Sequence, residues 1–321
     1  MLRQYYTDSP AEQLLTKPGV LAVVAYGDRC QVPTAVGTIP VGLNSLSGKH
    51  FEIIEHYPLL AKRGIDDLCH WSYIDDLMCI ATWIEPDNCA LMCSEAEAAY
   101  LRLLRCSQQA GFPHLLRMWN FIPDINLGDG DGEIYKQFCI GRQNAFDELK
   151  LDKAQYPAAS ALGHHTRGGV IYMLASRTAG KHHENPRQQP AYHYPRNYGP
   201  SSPSFARATT IGSKDTEQIF ISGTASILGH DTQAAGDLAQ QLEITVDNIR
   251  CLQQSVSSSA NQFSAIRVYL RHKRDYHAAL AYLNAHFPET EMNFVHADIC
   301  RDNLLVEIEA LASPSNSQCN R

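Results

Sequence analysis

The residues best placed to do chemistry lie near the end of the chain. In Leu304-Leu-Val-Glu-Ile-Glu-Ala-Leu311, strand alternation puts Glu307 and Glu309 on one face and Val306 and Ile308 on the other. The ordinary reading of such a pair is a solvated carboxylate face on an edge strand. If that face is enclosed instead, desolvation raises a carboxyl's pKa and makes it a proton donor near neutral pH. Cys300 stands seven residues before Glu307, where the same strand would begin. A single such cysteine is otherwise a small core hydrophobe. Arg207 falls in Pro203-Ser-Phe-Ala-Arg-Ala-Thr-Thr-Ile-Gly212, which reads as a strand, and its fork of donors suits either a bound carboxylate or the surface.

Other patterns lead to less. The His-His pairs at 164–165 and 182–183 and Cys89-x-x-x-Cys93 complete no zinc spacing. Gly128-Asp-Gly-Asp-Gly132 resembles part of a calcium loop, but Glu133 comes far too early for the twelfth position, so a hairpin turn is expected. There is no P-loop, no Rossmann glycine fingerprint and no Gly-x-Ser-x-Gly elbow. The expectation is chemistry without a metal and without a cofactor.

The 321 residues carry 34 acidic and 27 basic side chains, a formal net charge of -7, and no Lys/Arg run that would track phosphates. Nucleic acid is therefore not an expected partner. With 44% hydrophobic and 19% charged residues the chain can bury a core, and its length suits two domains. The longest apolar run, residues 20–26, is far too short to span a membrane. The first ten residues lack the apolar stretch of a signal peptide, and the ten cysteines are scattered through periodic segments. A cytoplasmic location with reduced thiols follows as an expectation.

The elements that would position these residues form a weak repeat. Glu95 to Ala110 has helical spacing, stops at Gly111 and leads to a strand at 115–121. Leu238, Leu242, Val246 and Ile249 trace a second helix, followed by a strand at 264–271 and a helix at 276–287 stopped by Pro288. Leu116-Arg-Met-Trp and Ile266-Arg-Val-Tyr share a pattern 150 residues apart. Each of these strands is expected to be followed by another, Glu133-Ile-Tyr-Lys-Gln-Phe-Cys-Ile-Gly-Arg142 and 304–311. Strands are also expected at 203–212 and 218–227. Between the halves, residues 180–204 hold seven prolines or glycines and several tyrosines, which predicts a long ordered functional loop. The expected class is α/β (α+β): two units, each a mixed sheet backed by helices, over residues 1–150 and 151–321, the second including the 180–204 loop.

The order strand, Ile-Ser-Gly, long helix, Arg-Val-Tyr-Leu-Arg, helix, Leu-Val-Glu-Ile-Glu resembles the Rid (YjgF) fold. In Rid proteins the first Glu of that last strand points into the ligand cleft, which maps onto Glu307. The Rid carboxylate-binding arginine has no counterpart among residues 289–297, which argues against imine deamination. The chain is more specifically similar to the chorismatases, which join a degenerate Rid-like N-terminal domain to an active C-terminal one. This likeness rests on Gln137-Phe-Cys-Ile-Gly-Arg142, Glu184-Asn-Pro-Arg187, Tyr194-Pro-Arg-Asn-Tyr-Gly-Pro200, Ser202-Pro-Ser-Phe-Ala-Arg-Ala208, Ile221-Ser-Gly-Thr-Ala-Ser-Ile-Leu-Gly-His230 and Ala297-Asp-Ile-Cys-Arg301 with the 304–309 segment.

The resemblance implies chorismate as substrate and pyruvate as one product. Glu307 would protonate the enolpyruvyl methylene, giving an oxocarbenium ion. Arg207 and Arg271 would clamp the two carboxylates, Tyr194 and Tyr198 would close the pocket, and Ala208 or Ala225 would set its volume. A cysteine at the spacing of Cys300 resembles the branch forming 3-hydroxybenzoate, often with 4-hydroxybenzoate, as in pigment pathways. The alternatives are a chorismate hydrolase giving a dihydroxycyclohexadiene carboxylate, or a non-catalytic Rid-like binder. Rid proteins are trimers, so a monomer that is pseudo-oligomeric internally and a homotrimer are both expected possibilities.

Overall fold

The computed structural model describes residues 1–85, 91–213, 216–257, 259, 260 and 262–314. Cys89 lies outside them, as does part of the turn expected at 212–217. Two helices show how the local sequence builds the elements. In Met92–Gln109 the apolar positions Ala96, Ala99, Tyr100, Leu103 and Leu104 follow the helical period and are all buried. Its end is set by Gly111, which takes a φ of +82° and lets the Phe112 N–H close on the Ser107 carbonyl. In Leu238–Val256 the Asp237 side chain caps the first turn, and Leu242, Val246, Ile249 and Leu252 go into the core. Each such side chain contributes about 1.5–3 kcal/mol on burial.

The repeat hinted at by the two Arg motifs extends through the whole topology. The first unit runs Lys62–Asp66, Cys69–Ile74, Leu77–Ile84, helix Met92–Gln109, His114–Pro123, helix Ile134–Glu148, Ala158–His164 and Gly169–Ser176. The second runs Lys181–His183, Ala208–Ile211, Gln218–Ala225, helix Leu238–Val256, Gln262–Leu270, helix Tyr276–His286, Glu291–His296 and Val306–Ser313. Within each unit the strand after the long helix pairs parallel with the next strand and antiparallel with the last. Each unit is thus a mixed sheet backed by helices, as expected from the sequence. The second unit and the N-terminal segment are each stitched to the edge of a neighbouring sheet. Asp298–Ile299 pairs with the first sheet and Asn44–Ser45 with the second.

Three expectations change. Residues 133–142 form the start of a helix rather than a strand, because Ile134, Tyr135, Phe138, Arg142 and Ala145 recur at 3.6-residue spacing. The glycine-rich 128–132 stretch is accordingly a single 3-10 turn feeding that helix, not a hairpin. Finally, Ala158–His164 and Gly169–Ser176 complete the first sheet although they lie beyond residue 150. We therefore propose that the two repeats divide between residues 176 and 181. A separate four-stranded sheet, Leu2–Thr7, Phe51–His56, Val20–Ala25 and Thr38–Pro40, precedes both. Among the described residues no helix is long and apolar enough to cross a membrane.

Candidate active site

The strand Val306–Ser313 is buried along its whole length, so the solvated-face reading of its carboxylates fails. Glu307 and Glu309 are 4% and 5% exposed and share a face, yet their surroundings differ. Glu309 accepts from Arg117 Nη2 at 2.7 Å, Trp119 Nε1 at 2.8 Å and Ser160 Oγ at 2.6 Å, with Arg267 Nη1 at 3.2 Å. Burial alone would raise its pKa, but the two arginines and these donors hold it below the ordinary value. Arg267 also binds Glu52, giving an interior row Glu52–Arg267–Glu309–Arg117 in which charges alternate. The first repeat supplies Arg117, Trp119 and Ser160, and the N-terminal sheet supplies Glu52.

Glu307 has no such partners. Burial first, and then the charge of Glu309, push its carboxyl up to about 8, against the pull of Arg117 and Arg207. It opens onto a cavity of about 540 Å³ between the two repeats. Room for it comes from the neighbouring strand. The pairing of Gln218–Ala225 with Val306–Ser313 shifts register between Ile221 and Thr224, a bulge that contains Gly223. A Cβ at Gly223 would overlap the Glu307 carboxyl.

The same cavity is lined by Cys300, Arg207, Tyr194, Tyr198 and Ala225. Arg207 is 3% exposed; its Nη2 donates to Tyr194 Oη at 2.7 Å and to the Gln189 carbonyl at 3.0 Å, while its Nε has no partner. Burial pushes the Cys300 thiol up to about 12, the Glu307 charge adding to the effect, so the sulfur stays protonated at neutral pH. The 180–204 segment is ordered as expected, with short 3-10 turns at Ala191–His193 and Arg196–Tyr198. It is fastened to the first repeat by the paired Arg196–Asp131 bonds of 2.9 and 2.6 Å.

Two sequence candidates lie elsewhere. Arg271 spends its donors on the carbonyls of Leu304, Ile299 and Arg301 and on Asp298 and Asn126. It shapes the turn that presents Cys300 and does not line the cavity. Ala208 follows Arg207 directly, so strand alternation turns it to the other face, into the core of the second repeat. Ala225, by contrast, pairs with Glu307 and faces the cavity.

The sequence reading missed Arg142 and Arg301. Arg142 is 1% exposed and lines the cavity; its Nε is unpartnered, and it pairs with no carboxylate among the described residues. It lies within the 137–142 motif, and reading that motif with a helical period would have set it beside Tyr135 and Cys139. Arg301 stacks its guanidinium 4.1 Å over Tyr198 and 5.3 Å over Tyr194 while donating to the His230 carbonyl. Nothing in the sequence alone marked Ser160. Among the described residues no group of three or more His, Cys, Asp or Glu could hold a metal ion. The arrangement is thus a desolvated acid facing a pocket rich in arginine, suited to protonating a bound anion.

Comparison with known proteins agrees with this chemistry. Residues 58–175, nearly the whole first repeat, match the family model described as chorismatase FkbO/Hyg5-like, N-terminal. A crystal structure of a chorismatase superposes with a TM-score of 0.86 at 29% identity, covering 97% of this chain and 98% of that one. A chorismatase of Streptomyces hygroscopicus is 36% identical over 67% of this chain and 66% of its own length. A 3-hydroxybenzoate synthase of the same organism is 34% identical over 91% of both chains. On that extent of likeness, the chain belongs to the chorismatase family.

Proposed function

We propose that the chain converts chorismate to 3-hydroxybenzoate, with 4-hydroxybenzoate alongside, and pyruvate. The observation that carries this reading is the Glu307 carboxyl, enclosed, pushed up to about 8 and opening onto a cavity lined by Arg142 and Arg207. A carboxyl with that pKa is still protonated at neutral pH and can donate to the enolpyruvyl methylene. The two buried guanidiniums, each with an unpartnered Nε, bind the substrate's two carboxylates. Tyr194 positions Arg207 through their hydrogen bond, and Tyr198 closes the pocket under Arg301. The atoms of chorismate equal those of a hydroxybenzoate plus pyruvate, so this route consumes no water, whereas hydrolysis adds a molecule of it.

Two features favour the aromatic product. Cys300 lines the cavity with its thiol protonated, placed to assist at the ring rather than to attack as a thiolate. The relative that aligns over 91% of the chain is a 3-hydroxybenzoate synthase. A cytoplasmic location is supported by the eight described cysteines, all free thiols.

The test is to incubate the purified protein with chorismate, without added metal or cofactor, and separate the products by chromatography with mass detection. Hydroxybenzoate with pyruvate is expected. A non-aromatic diene acid with pyruvate would make the chain a hydrolase, and untouched chorismate would overturn the enzymatic reading. In the same assay Cys300→Ala should spare pyruvate release more than aromatic product. An unchanged product spectrum would reduce the thiol to packing.

A further inference from the structure

Two cysteines that take no part in the chemistry above meet between the strand Cys69–Ile74 and the helix Met92–Gln109. Strand alternation turns Cys69, Trp71 and Tyr73 toward the helix. The helical period turns Cys106 inward with Ala99 and Leu103. There the Cys69 thiol donates to the Cys106 sulfur. Both residues line a cavity of about 480 Å³, together with Asp66, Asp67, Arg102 and Arg105. It shares no lining residue with the cavity of Glu307. Cys69 is 1% exposed, whereas Cys106 keeps 8% of its surface open. Arg105 pairs with Glu148, but the buried Nε of Arg102 has no partner, and its charge reaches Cys69.

A buried thiol on its own is a small core residue. Two in contact can do more, because one can attack a disulfide and the other can displace what the first has bound. The two are already unlike. Their shared hydrogen bond, and then burial, push the Cys69 thiol up. Accepting that bond holds the Cys106 thiol below its ordinary value, against burial and the charges of Asp66 and Asp67. Cys106 is also the more exposed, which makes it the attacker and Cys69 the resolver. We infer that Cys69 and Cys106 form a thiol–disulfide exchange site, which closes reversibly on reaction with a small carboxylate-bearing disulfide received by Arg102. In the first step the Cys106 thiolate bonds to one sulfur of the reagent and expels the other half as a thiolate. In the second the Cys69 sulfur gives up its proton, bonds to Cys106 and expels the remaining half. Two protein thiols are oxidised to one disulfide and the reagent disulfide is reduced to two thiols, which take up the two protons released.

The test is to equilibrate the full chain with mixtures of oxidised and reduced glutathione, alkylate the remaining thiols, and map the digested peptides by mass spectrometry. As the oxidised form is raised, the expected product is a peptide pair joined through Cys69 and Cys106, two hydrogens lighter than the separate peptides and released again by dithiothreitol. Cys69→Ser should stop at the first step, with one glutathione held on Cys106. Arg102→Gln should slow closure several-fold with oxidised glutathione and leave closure by the uncharged 2-hydroxyethyl disulfide unchanged. Both thiols alkylated at every ratio, or a link formed in preference between other cysteines, would overturn the inference. Equal rates for parent and Arg102→Gln with both reagents would overturn the carboxylate-bearing class of ligand. The map of the parent chain needs no substitution, so it decides the matter even where a variant folds poorly.

Discussion

The two repeats share one topology, and their last strands differ at the positions that matter. In the second repeat Arg267 pairs with Glu309 and Tyr269 with Glu307; in the first, Arg117 pairs with Leu174 and Trp119 with Tyr172. Where the second repeat has Glu307, the first has Tyr172, its ring stacked on Trp119 with centroids 4.6 Å apart. The neighbouring strand differs in step with this. Leu77–Ile84 pairs with Gly169–Ser176 without a break, whereas Gln218–Ala225 bulges at Gly223 beside Glu307. The shared sheet topology therefore does not by itself make a site; an acid, a bulge to house it and a partner surface are all needed. The first repeat has become that partner surface, supplying Ser160 and Arg142 to a cavity whose acid belongs to the second, and Arg117 to the carboxylate next to that acid.

The largest effect expected from disturbing this division of labour falls on Glu309. It anchors the second repeat to Arg117 of the first, and removing its charge leaves buried Arg117 without its carboxylate and Arg267 with Glu52 alone. Breaking a buried ion pair from one side costs about 3–5 kcal/mol, so Glu309→Gln should lower stability by that order in denaturant titrations. Because the folded pKa of Glu309 is depressed, the stability it contributes is present above the ordinary carboxyl value and lost as pH falls through its folded value. The variant should also move the basic limb of the pH–activity profile downward, since the charge of Glu309 is the second cause of Glu307's raised pKa. An unmoved limb would mean that burial alone sets it.

Next comes Glu307. Glu307→Gln keeps the shape and loses the proton, and turnover should fall by about 100-fold or more if general acid catalysis operates. Near-normal turnover would remove Glu307 from the chemistry. Stability should respond in the opposite sense to Glu309. Between the ordinary value of 4.5 and about 8 the folded chain holds a proton at Glu307 that the unfolded chain has released. Stability of the parent chain therefore falls as pH rises through that window, and the Gln variant should lack this slope. Activity of the parent should likewise decline above about 8, as the acid ionises. A site that costs stability where it works is the expected signature of function.

Much of this was legible before any coordinates. The shared Arg motifs at 116–119 and 266–269 foretold the repeat, because strands that face each other across a core keep the same alternation. The strand 306–313 gave the face of Glu307 and Glu309 correctly, and Cys300, Arg207, Tyr194 and Tyr198 all reached the cavity. What failed depended on partners remote in sequence. Period and β-propensity conflict in 133–142, where Ile, Tyr and Phe suggest a strand, and the misreading hid Arg142. The resemblance cast Arg271 as a carboxylate clamp, and only the folded turn at 298–304 shows that its donors are consumed by carbonyls, Asp298 and Asn126. The opposite fates of Glu307 and Glu309, two residues apart, depend on Arg117, Trp119 and Ser160 from another unit, about which local pattern carries no information.

The smallest of the expected effects sharpens the comparison most. Gly223 marks where the two sheets part company, since a Cβ there would occupy the place of the Glu307 carboxyl and sit 2.9 Å from Ser160 Oγ. Gly223→Ala must turn the carboxyl away or shift the bulge. Overpacking of this kind costs about 1–3 kcal/mol. If the cost is met by displacing Glu307, turnover should fall while the fold persists, and the basic limb should move because the carboxyl leaves its enclosed position. If the bulge shifts instead, stability should drop with the limb unmoved. The Gly223 N–H donates to Ser160 Oγ at 2.9 Å, and that hydroxyl also donates to Glu309, so the bulge is itself tied to the anion that tunes the acid. That tie favours the first outcome, since moving the bulge would break a buried hydrogen bond while moving the carboxyl breaks none. Pairing kinetics with a pH profile on this one variant therefore asks whether the bulge exists to house the acid.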